Sequence, residues 1–186
     1  GSHHDRTEFI KLYESTWPVR QGVAEMEDFM QTYKNPVLYA DYSDPDVIRV
    51  GEDYYMVASS FTYFPGVPLL HSKDLVHWEL INYCVKELPY EKYAVPSHGS
   101  GTWAPAIRYH DGTFIVFIPL VDEGFLVARS RDPYGEFQLN MLCEQKGWID
   151  SCPFWDDDGK AYMIFAYAGS RAGVKHRLMM VEIDPD

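Results

Sequence analysis

Cysteine is scarce in this chain of 186 residues. Cys84, Cys143 and Cys152 are odd in number and share no metal-ligand spacing. That pattern fits neither a disulfide framework nor a cysteine-based metal centre. Isolated, mostly buried thiols are expected, and they do not set a compartment. Basic residues are also few: 16 Lys and Arg face 28 Asp and Glu, giving a net charge of −12 with no basic stripe. Sequence-independent binding to nucleic acid or to an anionic membrane surface is therefore disfavoured. No apolar run approaches the roughly 18 residues of a membrane-spanning helix. No signal peptide is visible, but the opening Gly1-Ser2-His3-His4 reads as an affinity-tag scar, so this absence carries no information.

Aromatic residues are plentiful. The 14 Tyr, 10 Phe and 5 Trp make up 16% of the chain. They favour strands, fill β cores, and also suit carbohydrate sites, where aromatic faces stack on the apolar faces of sugars. At 46% hydrophobic residues the chain is long and apolar enough for one domain with a real core.

The most informative stretch is Asn35 to Trp78. It contains an Asp44-Pro45-Asp46 turn, a short apolar run from Val47 to Val50, a Gly51-Glu52-Asp53 turn and an aromatic-rich run from Tyr54 to Ala58. This is a β-hairpin pattern with a carboxylate just before its first strand. Asp before Pro is equally a good turn initiator. The pattern then recurs. Trp103 to Phe117 and Asp150 to Phe165 each place a Pro near the start, an apolar strand, a Gly turn and a returning aromatic strand. The equivalent positions are Pro45, Pro105 and Pro153, then Gly51, Gly112 and Gly159, then Tyr55, Phe114 and Tyr162. A β-unit repeating every roughly 40 to 50 residues points to propeller blades.

Taken in order, residues 1–4 are the scar. Residues 5–34 carry Phe9, Leu12, Tyr13, Met26, Phe29, Met30 and Tyr33 at helical spacing, which predicts a short helical extension packed outside the β domain or on another chain. Units of a partial propeller are expected over 35–82, 103–143 and 150–186. Strands are expected over Val67 to His71 and Val76 to Ile81 in the first unit. The second has Ala106 to Tyr109, Thr113 to Ile118, Phe125 to Ser130 and Phe137 to Leu142. The third has Pro153 to Trp155, Ala161 to Tyr167 and Leu178 to Ile183. Residues 83–102 read as a long polar connection, a kind that tends to be functional or disordered.

If each unit starts at the central channel, Asp44, Trp103 and Asp150 stand at equivalent positions around one mouth. Two carboxylates and an indole there suit glycoside cleavage, with one carboxylate as general base on water and the indole as a sugar platform. Singly, Asp150 also fits a capped turn and Trp103 a core position.

Several motifs resemble glycoside hydrolase family 43, the β-xylosidases and α-L-arabinofuranosidases. They are Asn35-Pro-Val, Tyr42-Ser-Asp-Pro-Asp-Val-Ile-Arg-Val-Gly51, Ser59-Ser-Phe-Thr-Tyr-Phe-Pro-Gly-Val-Pro68, His71-Ser-Lys-Asp-Leu-Val-His-Trp78, Trp103-Ala-Pro105 and Ile149-Asp-Ser-Cys-Pro-Phe-Trp-Asp-Asp-Asp-Gly159. The resemblance covers residues 35–186. It implies an all-β, five-bladed propeller, of which about three blades are present, and an inverting mechanism on xylose- or arabinose-containing plant polysaccharide. Asp44 matches the family's general base, and Asp150 the residue that tunes and orients the acid. Phe61 and Trp103 match aromatic positions of the sugar subsite, and Asp46 is read as structural. The family's general-acid Glu lies in a fourth blade, which this sequence does not reach. Glu182 has no motif around it and is not assigned that role. The chain is therefore expected to be a fragment, or to be completed by a second chain, with a secreted or periplasmic location favoured over a cytoplasmic one. No cofactor is expected. Two other readings stand beside the enzyme: a carbohydrate-binding or interaction module that has lost catalysis, and, with little weight, a metal site at His98, His110 and Asp156 to Asp158, residues without ligand spacing.

Overall fold

A computed structural model describes residues 32–184. The expected helical extension lies outside the described residues except for 32–34, which are irregular.

The described residues contain eleven strands in three antiparallel sheets. The first sheet runs in the order β1 (Asp46–Val50), β2 (Asp53–Val57), β3 (Gly66–Ser72), β4 (Glu79–Val85). The second is β5 (Ala106–His110), β6 (Thr113–Leu120), β7 (Gly124–Ser130), β8 (Gln138–Cys143). The third is β9 (Trp148–Trp155), β10 (Ala161–Tyr167), β11 (Leu178–Ile183). Sequential neighbours pair throughout, and the β1–β2 and β5–β6 connections are two-residue turns. The β5–β6 turn shows why: Asp111 and Gly112 both take positive φ, 46° and 75°, the pair of left-handed residues that a two-residue hairpin demands.

Two cores follow from strand alternation. One fills the space between the first and second sheets and includes Val57, Leu69 and Val85 from one side and Ile107, Val116 and Ile118 from the other. The second lies between the opposite face of the second sheet and the third sheet, with Ile115, Phe117 and Phe125 against Met163 and Phe165. Strand β6 is thus buried on both faces, which explains its unbroken apolar sequence from Phe114 to Leu120. Each large side chain fully buried here contributes about 1.5–3 kcal/mol.

Strands β1, β5 and β9 are each an edge strand of their own sheet, and they pack on one another in sequence, β1 on β5 and β5 on β9. Asp46, read as structural, fastens this contact. Its Oδ2 accepts the Ile107 N–H at 2.9 Å and an Arg108 Nη1–H at 2.8 Å. Arg108 Nε in turn donates to the Pro153 carbonyl at 2.9 Å. One carboxylate and one guanidinium therefore tie all three leading strands together. Charge-assisted hydrogen bonds of this kind are worth about 1.5–3 kcal/mol. Asp46→Ala is expected to lower stability by that amount, read as a drop of about 3–12 °C in melting temperature. An unchanged melting temperature would refute the role.

Four expectations need correction. Strand β4 begins at Glu79 rather than Val76, because Asp74 Oδ1 accepts the N–H groups of Val76 (2.9 Å) and His77 (2.8 Å) and holds those residues in a turn. The connection after β4 is pinned rather than loose. It contains a 3-10 turn at Glu91–Tyr93 with Tyr93 buried, and a bridge between Ser60 and Thr102. Strand β9 starts five residues before the expected Pro153, so Asp150 lies within the strand. Finally, Cys84 is buried and Cys143 half-buried, but Cys152 is exposed.

On the third sheet, Val181 and Ile183 pack into the second core. Leu178 and Met180, on the other face of β11, are 74% and 58% exposed.

Candidate active site

The site is assembled where the leading strands begin. Asp44 precedes β1 with φ 50°, and Asp150 sits in β9 with φ 54°. Both carboxylates thus leave the backbone from the left-handed region, which Asp tolerates better than most side chains. At Asp150 a β-bulge is the cause. Ile149 pairs with Ala166 and Cys152 with Ile164, so Asp150 and Ser151 together oppose Phe165. Bulges re-aim single side chains and recur beside active sites.

Asp44 is held from β2. Ser59, buried at the end of that strand, donates its hydroxyl toward Asp44 Oδ2 at 3.3 Å and toward the Ser43 carbonyl at 2.9 Å. The Ser59 N–H also donates to Ser43 O at 3.0 Å. Asp44 remains exposed to solvent, so a water has access to it.

Trp103 precedes β5. Its backbone N–H donates to Pro119 O and its indole Nε1–H to Gly99 O, both at 3.0 Å. Phe61 meets the indole edge-on with ring centroids 5.6 Å apart. Their two segments touch because Gly101 has no side chain. A Cβ there would drive into Ser60 O and the Phe61 backbone.

A cavity of about 600 Å³ is lined by Trp103, Ile149 and Asp150 on one side and by the β10–β11 connection, including Gly169, Ser170 and Lys175, on the other. The structure therefore brings Trp103 and Asp150 together on one wall and Phe61 against Trp103. Asp44 is not on the lining, yet its charge acts on Asp150. Partial burial first, and the Asp44 carboxylate second, raise the Asp150 pKa above its ordinary value of 3.8. Asp150 is the one carboxylate among the described residues that line the cavity.

A titration tests this coupling. Carboxyl NMR should show Asp150 titrating above 3.8. Asp44→Asn should lower that midpoint only in part, since desolvation is the larger cause. Because the folded-state pKa is raised, protonation favours the folded state. The contribution of Asp150 to stability is greatest at low pH and is lost as pH rises from 3.8 through the folded midpoint. A midpoint indifferent to Asp44 would place the two carboxylates out of electrostatic reach.

Other sequence candidates lie elsewhere. Glu182 is on β11, 3.0 Å from Lys160 Nζ. His110 stacks on Trp155, with centroids 4.3 Å apart. Asp156 to Gly159 form a hairpin turn in which the Gly159 N–H donates to Asp156 O at 2.9 Å. Sequence reasoning did not single out Ser59 as the Asp44 anchor, although it lies in the quoted Ser59-to-Pro68 motif. It also missed the cavity wall contributed by 168–178, which no composition signal marks.

Comparisons with known proteins bear on the family of the chain. The glycosyl hydrolases family 43 model matches residues 33–186. A β-xylosidase of Formosa agariphila is 37% identical over 147 residues, covering 75% of this chain and 25% of that protein. A non-reducing end α-L-arabinofuranosidase of Bacteroides ovatus is 47% identical over 88 residues, covering 46% of this chain and 16% of that protein. The crystal structure of a family 43 protein from Bacillus licheniformis superposes with a TM-score of 0.65 at 38% identity, over 72% of this chain and 29% of that one. The chain spans about a quarter of the length of the curated relatives it matches over most of its own length. With a family match running from residue 33 to its end, the chain belongs to glycosyl hydrolases family 43.

Proposed function

We propose that this chain carries the water-activating and sugar-stacking part of an inverting glycosidase that releases xylose or arabinose from plant polysaccharide or its oligosaccharides. The three sheets are then three propeller blades, with β1, β5 and β9 nearest the central channel. The observation that carries the reading is the meeting of Trp103 and Asp150 on one cavity, with Asp44 coupled to Asp150 through charge. The names of the relatives, β-xylosidase and α-L-arabinofuranosidase, support the pentose assignment.

In this reading Asp44 is the general base. As an ionised carboxylate it takes a proton from water while the water oxygen bonds to the anomeric carbon and the glycosidic bond breaks. The Trp103 indole, with Phe61 at its edge, supplies the platform on which the sugar ring stacks. Asp150 acts on the proton donor. A carboxylate beside a second carboxyl group disfavours ionisation of that group, which keeps an acid protonated near neutral pH. The donor itself is proposed to lie outside these residues.

Calorimetry with xylobiose and arabinobiose tests the reading. Binding is expected, and Trp103→Ala should weaken it by about tenfold or more, in line with loss of a stacked aromatic contact. A chain that binds neither sugar would overturn it. A lining with one carboxylate also suits a binding module without catalysis; xylobiose binding with no release of pentose from aryl glycosides would favour that reading, and hydrolysis that survives Asp44→Asn unaltered would exclude Asp44 as base.

A further inference from the structure

The position of the Trp103 indole is not fixed by its own segment alone. Its Nε1–H bond to Gly99 O secures one edge, and Phe61 meets the ring edge-on. The guanidinium of Arg171 lies over the ring, with Cζ 5.6 Å from the centroid. That distance is within cation–π reach.

Arg171 comes from the one-turn helix Gly169–Ala172 in the β10–β11 connection. Its backbone is seated where Gly147 lets the helix approach. A Cβ on Gly147 would stand 3.1 Å from Ala172 Cβ. Its head is gripped from a third segment. Nε donates to Asp122 Oδ1 at 3.1 Å, and Nη1 donates to Ser170 Oγ at 3.0 Å. Asp122 belongs to the β6–β7 turn, and its other oxygen lies 3.5 Å from Lys92 Nζ. Lys92 also pairs with Glu123, which accepts the Tyr93 hydroxyl at 2.5 Å. Two carboxylates and two cations thus close on themselves, leaving the cluster without net charge. They join three separate connections: β4–β5, β6–β7 and β10–β11.

We infer that Arg171, clamped by Asp122, is a positioning residue that fixes the Trp103 platform for sugar stacking. The inference rests on the proposed function for the role of Trp103. Arg171 is absent from the described cavity lining, whereas Gly169 and Ser170 beside it are on it. It therefore acts through the indole and not by touching the sugar. The guanidinium suits this task because it is planar, permanently charged and able to stack while its edge hydrogen-bonds sideways to Asp122. An ammonium has no plane to lay against the indole, so it would hold the ring less firmly.

Two readouts on the 186-residue chain test the clamp. The first needs no ligand. The emission of Trp103 is isolated as the difference between the native chain and Trp103→Phe, and its quenching by acrylamide is measured. Arg171→Gln and Asp122→Asn should each raise that quenching and shift the component to the red. Arg171→Lys should restore it only in part. The second is xylobiose affinity, which each variant should weaken by about 2- to 5-fold. The double variant should lose little more than either single one, because both changes break the same contact. Glu182→Gln, which breaks an exposed ion pair on β11, should move neither readout. Native quenching and native affinity in Arg171→Gln would overturn the inference. If instead Trp103→Ala leaves affinity unchanged, the platform reading fails, and the quenching result still decides the clamp.

Discussion

Asp44→Asn is expected to lower kcat/KM for aryl β-xyloside or aryl α-L-arabinofuranoside hydrolysis by about 10²- to 10⁴-fold in the complete enzyme, with little change in sugar affinity. The amide keeps the shape of the carboxylate and can still take the Ser59 hydroxyl contact at Oδ, so the turn before β1 should survive. What it cannot do is accept a proton from water. The loss corresponds to about 3–5 kcal/mol of transition-state stabilisation. It should appear in kcat with KM nearly constant, because a base acts only as the bond breaks. Asp150→Asn should differ in kind. If Asp150 sits beside the proton donor, as proposed, removing its charge should lower the donor's pKa and move the alkaline limb of the pH–rate profile to lower pH. A kcat for Asp44→Asn within about threefold of native would remove Asp44 from the base role, because general-base loss is expected to cost far more than that.

Much of this arrangement is legible in the amino-acid sequence, for a physical reason. Hairpins are local: a turn residue, an apolar run and a returning aromatic run are written within some twenty residues. The hairpins β1–β2, β5–β6 and β9–β10 lie where the three aligned stretches fall. Asp44 and Trp103 fall just before β1 and β5, whereas Asp150 falls inside β9, so the register read from the sequence matches only in part. What the sequence does not display is set by contacts between segments. The late start of β4 depends on which N–H groups the Asp74 carboxylate captures. The early start of β9 depends on a bulge opposite Phe165, and a bulge adds one residue without any composition signal. Asp46 illustrates the middle ground. Its place two residues beyond Asp44 marked it as structural, but its partners Ile107 and Arg108 lie some sixty residues away and only folding brings them near. The cavity wall at 168–178 belongs to the least legible class. A connection between strands carries no periodicity, and Arg171 reads as an ordinary surface cation until Asp122 and Trp103 are placed around it.

The leaving group decides the second large effect. If the proton donor lies outside these 186 residues, the chain alone should cleave xylobiose about 10²- to 10⁴-fold more slowly than the complete enzyme, which is the range that general acid catalysis supplies. A departing sugar alkoxide is too basic to leave unprotonated, so xylobiose exposes the whole deficit. A dinitrophenolate leaves without a proton. With a dinitrophenyl xyloside the deficit should therefore shrink to within about tenfold, because Asp44, the water and the Trp103 platform are all still present. The residual rate should vanish in Asp44→Asn. Glu182→Gln should leave it untouched, since that carboxylate is held by Lys160 on β11. Equal deficits on the two substrates would contradict the assignment. They would mean that the missing contribution lies in sugar binding or in the base, because a shortfall in protonation must fade as the leaving group becomes less basic.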